Sequence, residues 1–115
     1  MQKESLAQRA IIEHCKLCKI KIFSIPNGGK RDAREAYFLK LEGASAGIPD
    51  LCIPYMRGGY GALWIELKVG KNKPTKLQQE WIKYLNSAGY MAVVCYGHLK
   101  AIESINNYLK LKKDD

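Results

Sequence analysis

Histidine and cysteine are scarce in this 115-residue chain, with two and four copies. His14 and His98 stand apart from each other, and neither is taken as catalytic. Cys15, Cys18, Cys52 and Cys95 are too few and too scattered for a secreted disulfide scaffold, which fits a reducing compartment. Cys15-x-x-Cys18 sits inside a helical pattern without a second pair at zinc-site spacing, so the two read as ordinary core or surface thiols. No apolar run approaches the roughly 18 residues of a membrane span, and Met1 to Ser5 holds no apolar segment of signal-peptide type. The expectation is a soluble, cytoplasmic protein with no membrane partner.

Negative charge is also in short supply. Eleven Asp and Glu against 19 Lys and Arg leave a formal net charge of +8. That excess favours a polyanionic partner, most simply nucleic acid. With 47% apolar residues, the chain is expected to build its own core and to fold as one domain over residues 1–115.

Hydrophobic periodicity then orders the elements. Leu6, Ala10, Ile11, Cys15, Leu17 and Cys18 recur at helical spacing from Lys3 to about Lys19, with Ser5 and Gln8 as a capping box at the start. Ile20 to Ile25 reads as a strand that stops at Pro26-Asn27-Gly28-Gly29, and Ala33 to Leu41 as a short helix ending before Gly43. Asp50 to Ile53 and Ala62 to Val69 are strands, joined through Arg57-Gly58-Gly59-Tyr60-Gly61 as an antiparallel hairpin. A helix from about Thr75 to Ala88 follows, then an apolar strand from Tyr90 to Tyr96 suited to the middle of a sheet, then a helix from Leu99 to Leu111. The order is αβ(α)ββαβα, an α/β fold with a mixed sheet of about four strands flanked by helices.

The strand around Ile65 carries the sharpest chemical signal. Side chains alternate faces along a strand, so Trp64, Glu66 and Lys68 share one face while Leu63, Ile65 and Leu67 share the other. Asp50 opens the neighbouring strand, and a hairpin places its carboxylate near Glu66. Close carboxylates repel unless a cation lies between them, and oxygen ligands suit Mg²⁺ or Mn²⁺. Such a site fits phosphodiester hydrolysis: the ion acidifies water and takes up phosphoryl charge, while Lys68 holds or helps deprotonate the attacking water. An exposed Glu-x-Lys is more often a weak surface ion pair, and an Asp after Pro more often a turn residue. Their combination at the single hairpin of a basic domain shifts the balance.

These residues resemble a family. Gly47-Ile48-Pro49-Asp50-Leu51, Trp64-Ile65-Glu66-Leu67-Lys68, and Gln78 with Trp81 and Leu85 are similar to the VRR-NUC domain, a branch of the PD-(D/E)xK nucleases with a restriction-endonuclease-like fold. The likeness extends to a first-helix glutamate, Glu4, and to the Pro26-Asn27-Gly28-Gly29 loop. A bare D…E-x-K is a weak motif, but five ordered segments are a specific one. The resemblance implies Asp50 and Glu66 as metal ligands, the Leu67 carbonyl as a third, Lys68 as the catalytic lysine, and Glu4 approaching the metal. It also implies a stand-alone phage or bacterial nuclease that cuts branched DNA such as four-way junctions as a homodimer.

Two assignments stay open on the sequence. Glu13 competes with Glu4, since nine residues separate them and place them on roughly opposite helix faces. Gln78 serves either the catalytic site or a capping box with Thr75. Asn27, Arg31, Arg34, Lys71, Lys73 and Lys76 are candidate contacts to DNA phosphates, although exposed lysines beside a turn also keep a protein soluble. The competing function is a nucleic-acid-binding module of the same fold without catalysis; an adaptor with an incidental basic face is a third.

Overall fold

The computed structural model describes residues 3–26 and 32–113, built as α1 (Lys3–Leu17), β1 (Phe23–Ser24), α2 (Ala33–Leu41), β2 (Leu51–Ile53), β3 (Leu63–Lys68), α3 (Lys76–Ser87), β4 (Met91–Tyr96) and α4 (Gly97–Leu109). The strands form one mixed sheet in the order β1-β2-β3-β4, antiparallel at the first two pairings and parallel at the last. Four helices flank a four-stranded mixed sheet, the α/β architecture that the element order predicts and the restriction-endonuclease-like fold that the resemblance implies. No helix among the described residues is long and apolar enough to cross a membrane.

One face of the sheet carries the core. Leu51, Ile53, Leu63, Ile65 and Leu67 are buried there against Ala7, Ile11 and Cys15 of α1 and Ala101, Ile105 and Tyr108 of α4. Each helix presents these residues at spacings of three or four, the geometry of one apolar stripe. The buried Tyr108 hydroxyl donates to the Tyr55 carbonyl at 2.7 Å, so its polar end is satisfied. The hairpin turns at Gly58-Gly59, both at positive φ, between reciprocal hydrogen bonds of Arg57 and Tyr60. Two residues in the left-handed region match the twist of antiparallel strands, which is why two glycines stand there.

Three expectations need correction. Ser5 is already inside α1, in the same first turn as Glu4, so the Ser5–Gln8 capping box does not form. The strand expected over Ile20–Ile25 shrinks to Phe23–Ser24. α1 ends through Lys19 at φ 58 and a bond from Ile20 N–H to the Cys15 carbonyl, and the Lys21 N–H is taken by the Tyr55 hydroxyl. That backbone is used before a ladder can begin. β4 lies at the sheet edge rather than in its middle; its apolar run reflects cover by both α3 and α4. A parallel strand between helices reads as continuously apolar wherever it stands in the order.

Candidate active site

The second face of β3 holds the candidate site. Leu51 pairs with Ile65, so one step further along the antiparallel ladder Asp50 falls opposite Glu66. The Asp50 carboxylate is fixed there by the backbone: its Oδ2 accepts the Leu67 N–H at 2.7 Å, and its carbonyl accepts the Ile25 N–H at 2.8 Å. Pro49, fully buried, stiffens the approach. Lys68 lies two residues beyond Glu66 on the same face, with Nζ 3.6 Å from Glu66 Oε2.

This cluster is not the exposed ion pair that Glu-x-Lys usually makes. Glu66 is 1% exposed and Lys68 8%. Burial is the main reason that the Glu66 carboxyl is pushed up to about 8; repulsion from Asp50 and a hydrogen bond with it add to the shift. Lys68 opposes the rise, and the charge of Glu4 adds a little to it. Glu66 Oε1 is buried with no hydrogen-bond partner among the described residues. An orphaned buried oxygen costs about 1–3 kcal/mol or more when charged; Lys68 lies against Oε2, which leaves Oε1 open to a second cation. Two convergent carboxylates are donors that Mg²⁺ or Mn²⁺ accepts. The residues therefore fit a hard divalent ion.

The other expected residues divide. Glu4 lines a cleft of about 380 Å³ together with Lys3, Val69 and Asn72, at the end of β3 where Lys68 stands. Glu13 is exposed on α1 and is not among the charges that act on Glu66. Glu4 stands close enough for its charge to act on Glu66, while among the described residues no three His, Cys, Asp or Glu side chains form a closed ligand group. Gln78 makes a complete capping box with Thr75: its Oε1 accepts the Thr75 N–H at 2.8 Å, and Thr75 Oγ1 accepts the Gln78 N–H at 3.2 Å. Its amide oxygen is thus committed to the start of α3, leaving only the NH₂ side for any other role. Lys71, Lys73 and Lys76 are exposed along the segment from β3 into α3, close in sequence to Lys68. Arg34 is exposed in the first turn of α2, with its guanidinium 5.9 Å from the centre of the Phe38 ring. Asn27 and Arg31 lie outside the described residues.

Asn72 escaped the sequence reading. Its position four residues after Lys68, in the turn that follows β3, was the available signal.

With this geometry in hand, comparison with known proteins is decisive on the family. The model of the VRR-NUC domain matches residues 3–99. The chain belongs to the VRR-NUC family. A solved structure described as a VRR_NUC domain protein superposes with a TM-score of 0.86 at 34% identity, over 100% of this chain and 94% of that one. Among curated proteins no match is found. VRR-NUC membership gives the chain a nuclease-type fold and implies a hydrolase kind of activity with DNA as substrate. Members of the VRR-NUC family usually depend on metal, which agrees with the carboxylate pair found here.

Proposed function

We propose that this VRR-NUC protein is a Mg²⁺- or Mn²⁺-dependent DNA endonuclease that prefers branched DNA, such as four-way (Holliday) junctions, and works as a two-fold homodimer in phage or bacterial DNA replication or repair. The observation that carries the reading is the buried convergence of Asp50, Glu66 and Lys68, with one Glu66 oxygen left unpartnered. Asp50, Glu66 and the Leu67 carbonyl would hold the ion. When bound, the ion supplies acidification of water and charge neutralisation at the phosphoryl oxygens.

The chain's own groups do the remainder. Asp50 keeps its place through the Leu67 N–H, so the carboxylate pair is preorganised rather than assembled by substrate. Lys68 Nζ donates a hydrogen bond to the attacking water and opposes the negative charge that builds on the phosphate. Glu4, across the cleft, polarises that water without direct chelation. Lys71, Lys73 and Lys76 hold the DNA backbone on either side of the scissile bond.

The homodimer draws support from α2. That helix buries no residue and exposes Tyr37, Phe38 and Leu41. Nine residues make a marginal helix in water, and a second copy is the cover assigned to this apolar side. A dimer would also set two sites on opposing strands of a junction.

The test is cleavage of a labelled four-way junction and of linear duplex with Mg²⁺, Mn²⁺ or EDTA. Symmetric nicking of the junction with either metal and none with EDTA is expected. Salt-sensitive binding without cleavage under any condition would establish the non-catalytic module instead. Equal cutting of both substrates would remove the junction preference and keep the nuclease.

A further inference from the structure

Gly47 stands three residues before Asp50 and has no role in the chemistry above. Its backbone is at φ +94, and a Cβ built on it would lie 2.8 Å from the Leu77 carbonyl carbon, 2.9 Å from the Leu77 oxygen and 2.9 Å from the Leu77 Cβ. Gly43, Gly59, Gly70, Gly89 and Gly97 share a positive φ but have nothing within 4 Å. Gly58 meets only side-chain atoms of Leu111, the nearest at 3.1 Å. Among the described glycines, only at Gly47 would an added Cβ strike the main chain of another element.

Both sides of that contact are held. On one side Pro49 is buried and Asp50 is bonded through its carbonyl to Ile25 and through its carboxylate to Leu67. On the other, the Thr75–Gln78 box fixes the first turn of α3. Its far end is fixed by buried Leu85 and by the Asn86 amide, whose Nδ2 donates to the Ala92 carbonyl at 3.0 Å and whose Oδ1 accepts the Ala92 N–H at 2.9 Å. A side chain at position 47 cannot be absorbed by a rotamer change, so either α3 or the Asp50 segment must shift.

We propose that Gly47 is a positioning residue: its missing side chain lets the first turn of α3 seat on the backbone leading into Asp50, and that seat sets the Asp50 carboxylate against Glu66. The proposal rests on the reading of Asp50 and Glu66 as the ion-holding pair. It assigns α3 a role beyond covering β4, as a buttress behind one of the two ligands. Displacements of a few tenths of an ångström matter here, because ligand geometry must be held within about 0.5 Å.

The experiment compares Gly47→Ala with Gly89→Ala, whose φ of +96 imposes the same backbone strain with no neighbour to strike. Mn²⁺ affinity is measured by calorimetry on the metal-free protein, with melting temperature and the Mn²⁺ dependence of junction cleavage alongside. Gly47→Ala is expected to weaken Mn²⁺ binding by about tenfold, the scale of a lost outer-shell support. Gly89→Ala is expected to match the wild type in Mn²⁺ binding while losing only the thermal stability that the backbone strain costs. Indistinguishable Mn²⁺ affinities for the two variants overturn the proposal alone. A wild type that binds no Mn²⁺ overturns the ion-holding reading and this proposal with it. Should Gly47→Ala fail to fold, Thr75→Ala loosens the same turn from the α3 side. It should then weaken Mn²⁺ binding severalfold, with Thr75→Ser restoring it; equal affinities for that pair overturn the proposal.

Discussion

The two faces of β3 are built from alternate residues of one strand and have opposite energetics. Leu63, Ile65 and Leu67 face α1 and α4 and are at most 1% exposed. Glu66 and Lys68 face the other way and are almost as dry. Dryness stabilises on the first face, because each apolar side chain contributes its transfer free energy and its packing. On the second face it destabilises, because a carboxylate beside another carboxylate is removed from water. The strand thus concentrates folding energy on one side and spends part of it on the other. Adjacent substitutions should accordingly break different properties.

The largest contrast is expected at Lys68. Lys68→Ala should lower single-turnover cleavage of a junction by about 10²- to 10⁴-fold, with melting temperature and EDTA-state junction binding close to wild type. Folding survives because loss of the cation drives Glu66 further toward its neutral form rather than leaving a bare buried charge. Comparable loss of folding and cleavage in Lys68→Ala would erase the distinction between the faces. Three residues back, Ile65→Ala should do the reverse. It should cost about 2–5 kcal/mol in urea unfolding, the usual range for a fully buried aliphatic, while the folded fraction keeps its metal-dependent activity.

A smaller effect sharpens the comparison through pH. The Glu66 carboxyl sits near 8 in the metal-free fold against an ordinary 4.5. Across that interval the folded chain keeps a proton that the unfolded chain has released, so metal-free stability should fall as pH rises from about 4.5 to about 8 and then level off. Glu66→Gln should flatten this slope and raise the melting temperature at pH 8, by about 4–8 °C for each kcal/mol recovered, while abolishing cleavage. Mn²⁺ should stabilise the wild type more at pH 8 than at pH 6. A melting temperature that rises from pH 5 to pH 8 without metal would contradict the assignment. The smallest expected difference separates Glu4→Gln from Glu13→Gln: the first should slow cleavage about tenfold, as loss of an outer-shell group does, and the second should leave the rate unchanged.

Legibility in the sequence followed the same division. α2 and α3 fell within a residue of their expected bounds, and the β2–β3 hairpin was plain from its Gly-Gly turn. Local pattern governs such elements. The length of β1 was not legible, because the hydroxyl that takes the Lys21 N–H belongs to Tyr55, 34 residues away. The edge position of β4 was hidden because cover from two helices makes an edge strand look central. At the site, alternation placed Glu66 and Lys68 on one face and the hairpin brought Asp50 beside them, and the strand register sets Asp50 opposite Glu66. The depth of their burial was invisible, since periodicity reports which way a side chain points and not what lies above it. The distance of Glu4 from the carboxylate pair likewise depends on where α1 meets the end of β3, a tertiary quantity.

The bond from the Leu67 N–H to Asp50 ties the site together through main chain, and that bears on how the protein can evolve. Any amino acid except proline supplies the same N–H, so the side chain at position 67 can exchange among apolar types under pressure from the core alone. The core of such a nuclease can drift and be repacked while the link between its two acidic residues is inherited unchanged.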